Sequence, residues 1–254
     1  MRESLERPMM SKTILITGAT SGIGAAVSRK ILEEASPEDT VWLNYGHDDA
    51  KARAFVEKLP EQKKKQVCLL KADLSSYEEM CRAAARLREQ SDSLDWLVLN
   101  TGISEKKPFE QCSFEEWNRV IQTNLSIPAF LVQELLPVMN PGGSILFTGS
   151  YAGQQAYSSS IVYGVSKAGV HFLARSLVKV LEPKGIRVNA IAPGFIETPW
   201  HEKRTRESYD RINRKIALHR FGSVAEVADM AYAVLSNEYM NGSVIELHGG
   251  YDYF

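Results

Sequence analysis

The chain has 254 residues, with 30 Lys and Arg against 31 Asp and Glu, a formal net charge of −1. Balanced charge without a basic face speaks against a nucleic-acid partner, and 44% apolar with 24% charged residues is the composition of a globular chain with a core. The three cysteines, Cys68, Cys81 and Cys112, form no C-x-x-C; they speak against a disulfide framework or a metal site and read as small buried hydrophobes in a reducing compartment.

From the amino end, MRESLERPMMSK carries acids and no apolar centre, so residues 1–11 read as a disordered arm of a cytoplasmic protein, not a targeting segment. No apolar run approaches the roughly 18 residues that a membrane span needs. Short apolar runs then alternate with longer amphipathic stretches: TILITG (13–18), TVWLNY (40–45), QVCLLKA (66–72), DWLVLN (95–100), GSILFTG (143–149), IRVNAIA (186–192) and SVIELHG (243–249). Most are continuously apolar, as strands covered on both faces must be. Ser113 to Glu116 and Ser223 to Glu226 match capping boxes that open helices between them. The alternation predicts a single α/β domain over residues 1–254, a Rossmann-type doubly wound parallel sheet of seven strands flanked by helices, with ligands at the carboxyl ends of the strands. Residues 199–222, PWHEKRTRESYDRINRKIALHRFG, interrupt the pattern as a charged helical insertion, either a solvated surface helix or a substrate lid.

The first strand turns into its helix through Thr17-Gly-Ala-Thr-Ser-Gly-Ile-Gly24. Gly18 permits the tight turn, Gly22 and Gly24 let backbone and helix approach, and the N–H groups of the helix start can hold a pyrophosphate. The spacing is G-x-x-x-G-x-G, not the common G-x-G-x-x-G. Further along, Tyr163 and Lys167 lie one turn apart on one face of a helix, SSIVYGVSKAGVHFLARSLVKVL. Alone the pair carries little, because Tyr-x-x-x-Lys is expected roughly 0.6 times by chance in such a chain and snorkelling side chains explain it equally well.

Taken in order, these motifs resemble the short-chain dehydrogenase/reductase family from about Thr13 to Gly250. The loop with Gly18, Ser21, Gly22, Ile23 and Gly24 is similar to the family's cofactor loop, Asp73-Leu74 to its adenine-contacting pair, and Leu99-Asn100-Thr101-Gly102 to its N-N-A-G segment, with Leu99 and Thr101 departing from it. Asn124, Ser150, Tyr163 and Lys167 fall on its four active-site positions, and Pro193-Gly194-Phe195-Ile196-Glu197-Thr198 on the loop at the nicotinamide end. The resemblance implies hydride transfer between a nicotinamide cofactor and a carbonyl or alcohol carbon. Tyr163 would supply the proton and Ser150 a second hydrogen bond. Lys167 would draw the phenol pKa down from near 10 and position the ribose, and Asn124 would link Lys167 to a water chain.

The end of the second strand, with Asn44, Tyr45 and His47, lacks the acid that selects NAD, so NADP(H) is the expected cofactor, with NAD the alternative. The closest subgroup is the 3-oxoacyl-acyl-carrier-protein reductase type, which implies a thioester substrate presented by acyl carrier protein. Lys184 matches one basic docking position, whereas the other falls in the uncharged turn Met139-Asn-Pro-Gly142. Alternatives are a reductase of a free small alcohol, sugar, steroid or CoA-linked ketone, a nucleotide-sugar epimerase, or a non-catalytic dinucleotide-binding protein. The family also implies a homotetramer or homodimer built on the Tyr-Lys helix, where Gly164, Ala168 and Gly169 would permit close packing.

Overall fold

The computed structural model describes residues 11–105, 107–156, 160–202 and 204–251, so the disordered arm expected at residues 1–11 lies, but for Ser11, outside the described residues. Seven strands, β1 (Thr13–Ile16), β2 (Thr40–Tyr45), β3 (Val67–Lys71), β4 (Leu94–Leu99), β5 (Met139–Thr148), β6 (Arg187–Pro193) and β7 (Val244–Leu247), form one sheet in the order β3-β2-β1-β4-β5-β6-β7. Every pairing is parallel. The order reverses between β1 and β4, and at that switch point the strand ends open a crevice.

The helices follow in chain order: α1 (Gly22–Glu34), α2 (Asp49–Glu57), α3 (Glu61–Lys64), α4 (Tyr77–Gln90), α5 (Phe114–Ile121), α6 (Ile127–Leu135), α7 (Ile161–Leu181), α8 (Arg206–Asn213) and α9 (Val224–Ser236). Strand side chains alternate between two cores. Ile14, Ile16, Val98 and Leu146 bury against α1, α2 and α9, while Leu15, Leu97, Ile145 and Phe147 bury against α4, α6 and α7. Burial on both faces is why the strands read as unbroken apolar runs. Ser113 and Ser223 each form the reciprocal capping box with Glu116 and Glu226.

Two expectations are sharpened and a third is corrected. Met139 to Gly142 falls inside β5, but as a bulge and not as extended strand: Met139 pairs with Leu94 and Ser144 with Trp96, so Asn140 to Gly143 loop out opposite Asp95, with Gly142 at φ +82° and Asn140 donating to the Asp95 carboxylate at 2.8 Å. The insertion at 199–222 is not merely solvated, because Ile212, Ile216 and Phe221 bury with Phe195, Tyr209 and Tyr251 in a small core of their own. The three cysteines are partly exposed, not buried.

Tight packing fixes the first βα turn. A Cβ added to Gly24 would stand 2.1 Å from the Gly18 carbonyl oxygen and 2.6 Å from the Asn100 amide, whereas one added to Gly46 meets nothing within 4 Å. Gly24→Ala is expected to cost about 2–3 kcal/mol of stability by overpacking against backbone, and Gly46→Ala to stay within ~0.5 kcal/mol of the parent. Paired denaturant titrations measure the difference.

Candidate active site

The carboxyl ends of β1, β4, β5 and β6 and the segment leading into α8 enclose a cavity of about 1270 Å³. Of the residues singled out in the sequence, Gly18, Ser21, Gly22, Ile23, Asn100, Gly102, Ser150, Tyr163, Lys167, Pro193, Gly194, Ile196 and Thr198 line it. Gly24, Asn44, Tyr45, Asp73, Leu74 and Asn124 stand outside that lining.

The floor of the glycine loop is stitched by hydrogen bonds. Thr17 Oγ1 accepts from the N–H groups of Asn100 and Thr101 at 2.8 and 3.1 Å, and the Asn100 amide donates back to the Thr17 and Gly18 carbonyls. Asn44 is buried, its Oδ1 accepting from Gly18 N–H at 3.3 Å and its Nδ2 donating to the Leu70 and Ala72 carbonyls. It therefore holds the loop from behind, a correction to its reading as a cofactor contact. Leu99, in place of the family's asparagine, closes β4 as a core side chain. Gly18 and Gly22 have φ of +60° and +50°. The first helical bond of α1 runs from Ala25 N–H to the Ser21 carbonyl at 3.1 Å, Ser21 makes no side-chain cap, and the first turn carries no acid. The N–H groups ahead of that bond have no acceptor within the helix and suit a phosphate.

Beyond the glycine loop, the carboxylates near the ends of β2 and β3 are engaged by neighbouring side chains. Asp49 is engaged on both oxygens, by the Tyr45 hydroxyl at 3.0 Å and by Lys71 Nζ at 2.8 Å, and these bonds, Lys71's first, hold its carboxyl below the usual carboxylate range. Asp73 meets His47 Nε2 at 3.1 Å. Lys51, which the sequence reading passed over, lines the cavity from the first turn of α2, where Asp48 accepts its backbone N–H at 2.8 Å.

At the other end, Ser150 caps a short turn after β5, its Oγ accepting from Ala152 N–H at 3.2 Å and lying 3.5 Å from the Pro193 carbonyl oxygen. The Tyr163 phenol faces Ser150 and packs on Trp200, with ring centroids 5.9 Å apart. Burial pushes the phenol pKa up, outweighing Ser150, which pulls it down. Lys167 is buried, which lowers its pKa from 10.5 to about 8; its Nζ donates to the Thr148 carbonyl at 2.7 Å and lies 5.7 Å from the Tyr163 ring centroid. The expected depression of the phenol by Lys167 is thus corrected. Burial disfavours the charged form of both groups and outweighs the pull of the ammonium, one of whose three donors goes to the Thr148 carbonyl.

Asn124 sits in a π-helical turn, Gln122–Ser126. Its Oδ1 accepts from Ile103 N–H at 2.8 Å, and its Nδ2 donates to the Ile103 carbonyl at 2.9 Å and to Ser166 Oγ at 3.0 Å; Ser166 Oγ in turn donates to the Tyr163 carbonyl at 2.7 Å. Both amide hydrogens of Asn124 are therefore used.

His171 was also missed, although it follows Lys167 by the same four residues that separate Lys167 from Tyr163. It lies behind Ser150, whose N–H points to its Nε2 at 3.4 Å. Burial, then Lys167 and Arg175, lowers its pKa from 6.5 to about 4.

The comparisons agree with this geometry. A family model described as enoyl-(acyl carrier protein) reductase matches residues 18–252. The 3-oxoacyl-[acyl-carrier-protein] reductase of Aquifex aeolicus is 32% identical over 250 residues, covering 97% of this chain and 99% of that protein. Among solved structures, a glucose/ribitol dehydrogenase of the short-chain dehydrogenase/reductase type from Brucella melitensis superposes with a TM-score of 0.87 at 28% identity, over 94% of this chain and 96% of that one. RhlG of Pseudomonas aeruginosa, in an NADP active-site complex, gives 0.86 at 29% identity over 96% and 97%. The chain belongs to the short-chain dehydrogenase/reductase family and is an oxidoreductase. Among the described residues no helix is long and apolar enough to cross a membrane.

His171 makes the centre acid-sensitive. Its folded pKa of about 4 lies below the unfolded 6.5, so within that window the unfolded chain binds a proton that the native chain does not. Stability therefore rises with pH from 4 to 6.5, and falling pH removes up to ~3 kcal/mol. His171→Gln, which keeps an acceptor for Ser150, is expected to flatten this slope relative to the parent in thermal melts between pH 4 and 7. An unchanged slope contradicts the assignment.

Proposed function

We propose that the protein is an NADP(H)-dependent reductase of 3-oxoacyl thioesters. The observation that carries this reading is a phenol that faces Ser150 one helical turn from a buried lysine, at the inner end of a cavity whose outer end opens on an uncapped helix start suited to a phosphate. The 32% identical relative that reduces 3-oxoacyl thioesters supports the substrate class.

NADPH, when bound, supplies the hydride. The N–H groups of the glycine loop would hold its pyrophosphate, and Asn100, Pro193, Gly194, Ile196 and Thr198 its nicotinamide half. Ser150 and Tyr163 meet a substrate carbonyl oxygen with two hydroxyl groups, and as negative charge develops there Tyr163 delivers its proton. A phenol whose pKa lies above its ordinary value remains an acid at neutral pH, which suits reduction. Lys167, with a pKa of about 8, is protonated at neutral pH and is the nearest cation to the phenolate left behind.

For cofactor choice, the lack of an unengaged acid at the end of β2 and the presence of Lys51 favour a 2′-phosphate over a bare ribose. Lys51→Ala is expected to weaken binding of 2′,5′-ADP about tenfold by calorimetry, consistent with one charge-assisted contact, and to lower kcat/KM for NADPH while sparing NADH. Equal loss with both cofactors contradicts this placement.

The catalytic test is Tyr163→Phe assayed on acetoacetyl thioesters by NADPH absorbance. Turnover is expected to fall by about 10²–10⁴-fold with NADPH binding retained; unchanged turnover refutes the mechanism. We also place a homodimer or homotetramer contact on α7, where Ile161, Val165 and Phe172 are 48, 47 and 73% exposed. Sedimentation is then expected at two or four times the 28.4 kDa chain mass.

A further inference from the structure

Every charged side chain lining the cavity among the described residues is a cation: Lys51, Lys167, Arg204, Arg211 and Lys215, with no Asp or Glu. Acids slightly outnumber bases in the chain as a whole, 31 to 30, so the cavity is segregated from the average surface. Lys51 and Lys167 have roles in the reading above. The other three stand together on the segment between β6 and α9.

Their placement follows from helical spacing. Ser208, Arg211, Ile212 and Lys215 repeat at i, i+3, i+4 and i+7 along α8 and the turn after it, and all four line the cavity. Ile212 is buried and anchors the face, while Arg211 and Lys215 are exposed at the cavity wall. Arg204 precedes the helix, donating from Nη1 to Ser208 Oγ at 2.9 Å and stacking 5.7 Å from the Phe195 ring; its Nε is buried with no hydrogen-bond partner among the described residues. The nearby acids that pair do so elsewhere, Asp210 with Arg206 and Glu226 with Arg220. The wall begins beside the chemistry, because Trp200, which opens this segment, packs on Tyr163.

Three cations on one wall repel one another, and a partly closed cavity screens them less than open water does. An oxyanion relieves that cost, and guanidinium groups are shaped to hold one. The basic docking position expected at Lys184 does not account for them. Lys184 donates to the Leu136 carbonyl at 2.7 Å, between α7 and the start of β6, so it lies at the amino edge of the sheet, opposite the cavity.

We propose that Arg204, Arg211 and Lys215 form an oxyanion subsite, and that the carbonyl substrate carries a carboxylate or phosphate remote from its reacting carbon. This rests on the reading of Tyr163 as the proton donor to a carbonyl. It narrows the substrate class: neutral alcohols, steroids and uncharged sugars leave the subsite unmatched.

Two matched ligand pairs separate the sources of the anion, 4′-phosphopantetheine against pantetheine for a phosphate, and levulinate against methyl levulinate for a carboxylate. In calorimetric titrations of the full chain with NADPH present, the charged member of one pair is expected to bind about tenfold tighter or more, a preference worth a charge-assisted contact. That preference should collapse toward one in the Arg211→Ala/Lys215→Ala double variant and shrink with added salt. Equal affinities within both pairs, or a preference that survives in the double variant, overturns the subsite. Both altered side chains are exposed, and circular dichroism checks that the variant is folded. Turnover of an acetoacetyl thioester is scored separately: charge discrimination without turnover refutes the reductase reading and leaves the subsite standing.

Discussion

The close approach of α7 to the end of β5 is the constraint on which the rest of the site depends. A Cβ on Gly149 would lie 2.2 Å from His171 Nε2, and one on Gly153 would lie 2.6 Å from the Lys167 carbonyl carbon and 2.7 Å from Ala168 N. Only a strand end and turn without side chains at these two positions let the helix come so near. The approach sets Tyr163 against Ser150, places Lys167 Nζ on the Thr148 carbonyl and puts His171 behind the Ser150 backbone. Helical periodicity then does the remaining work, because residues four apart present themselves in a row to the same strand end. The row is acid, cation and neutral imidazole, each with its ionisation shifted by the same burial.

A second set of contacts registers the other half of the cavity to this one. The loop after β4 carries Asn100 toward the glycine turn and Ile103 toward α7, and asparagine amides make both joints. Asn100 bonds the Thr17 and Gly18 carbonyls, and Asn124 clamps Ile103 and reaches Ser166 on α7. An asparagine suits such joints because it donates and accepts from one planar group. The π-turn at Gln122–Ser126 provides the geometry: it displaces the Asn124 side chain from an ordinary helical register at the cost of regular backbone bonding, a pattern frequent at functional sites. The buried hydroxyl of Thr123 in the same turn has no partner among the described residues.

Much of this was legible in the sequence, for identifiable reasons. The sheet was, because a strand buried on both faces has to be written as a continuous apolar run, and TVWLNY and DWLVLN became β2 and β4 with little shift of boundary. The glycine turn was legible because positive φ at Gly18 and Gly22 and contact at Gly24 leave no other residue type. Polar side chains spent on backbone were not. Asn44 reads as a cofactor contact by position alone, and only the fold reveals that the Leu70 and Ala72 carbonyls consume its amide. Proline and two glycines in Met139-Asn-Pro-Gly-Gly143 spell a turn locally, and the fold keeps that chain reversal as a bulge at the start of β5, where β4 advances two residues while β5 advances five. Cations scattered through PWHEKRTRESYDRINRKIALHRFG look uniformly solvated until Ile212 and Phe221 fix which face turns inward.

The charge pattern follows from the same packing. Burial alone raises Tyr163 and lowers Lys167, so both move toward neutrality, and an uncharged phenol beside a weakened ammonium is a poor base but a competent acid. Such a centre gains most when negative charge enters the cavity, because each added anion favours the protonated form of Lys167 and the cations along the wall. With no acid among the lining residues to supply that charge internally, the cavity leaves it to its ligands. Ligand charge and catalytic protonation are thereby coupled through Lys167, and a substrate's remote anion stabilises the ionisation state in which Tyr163 has a cation beside it when its proton leaves.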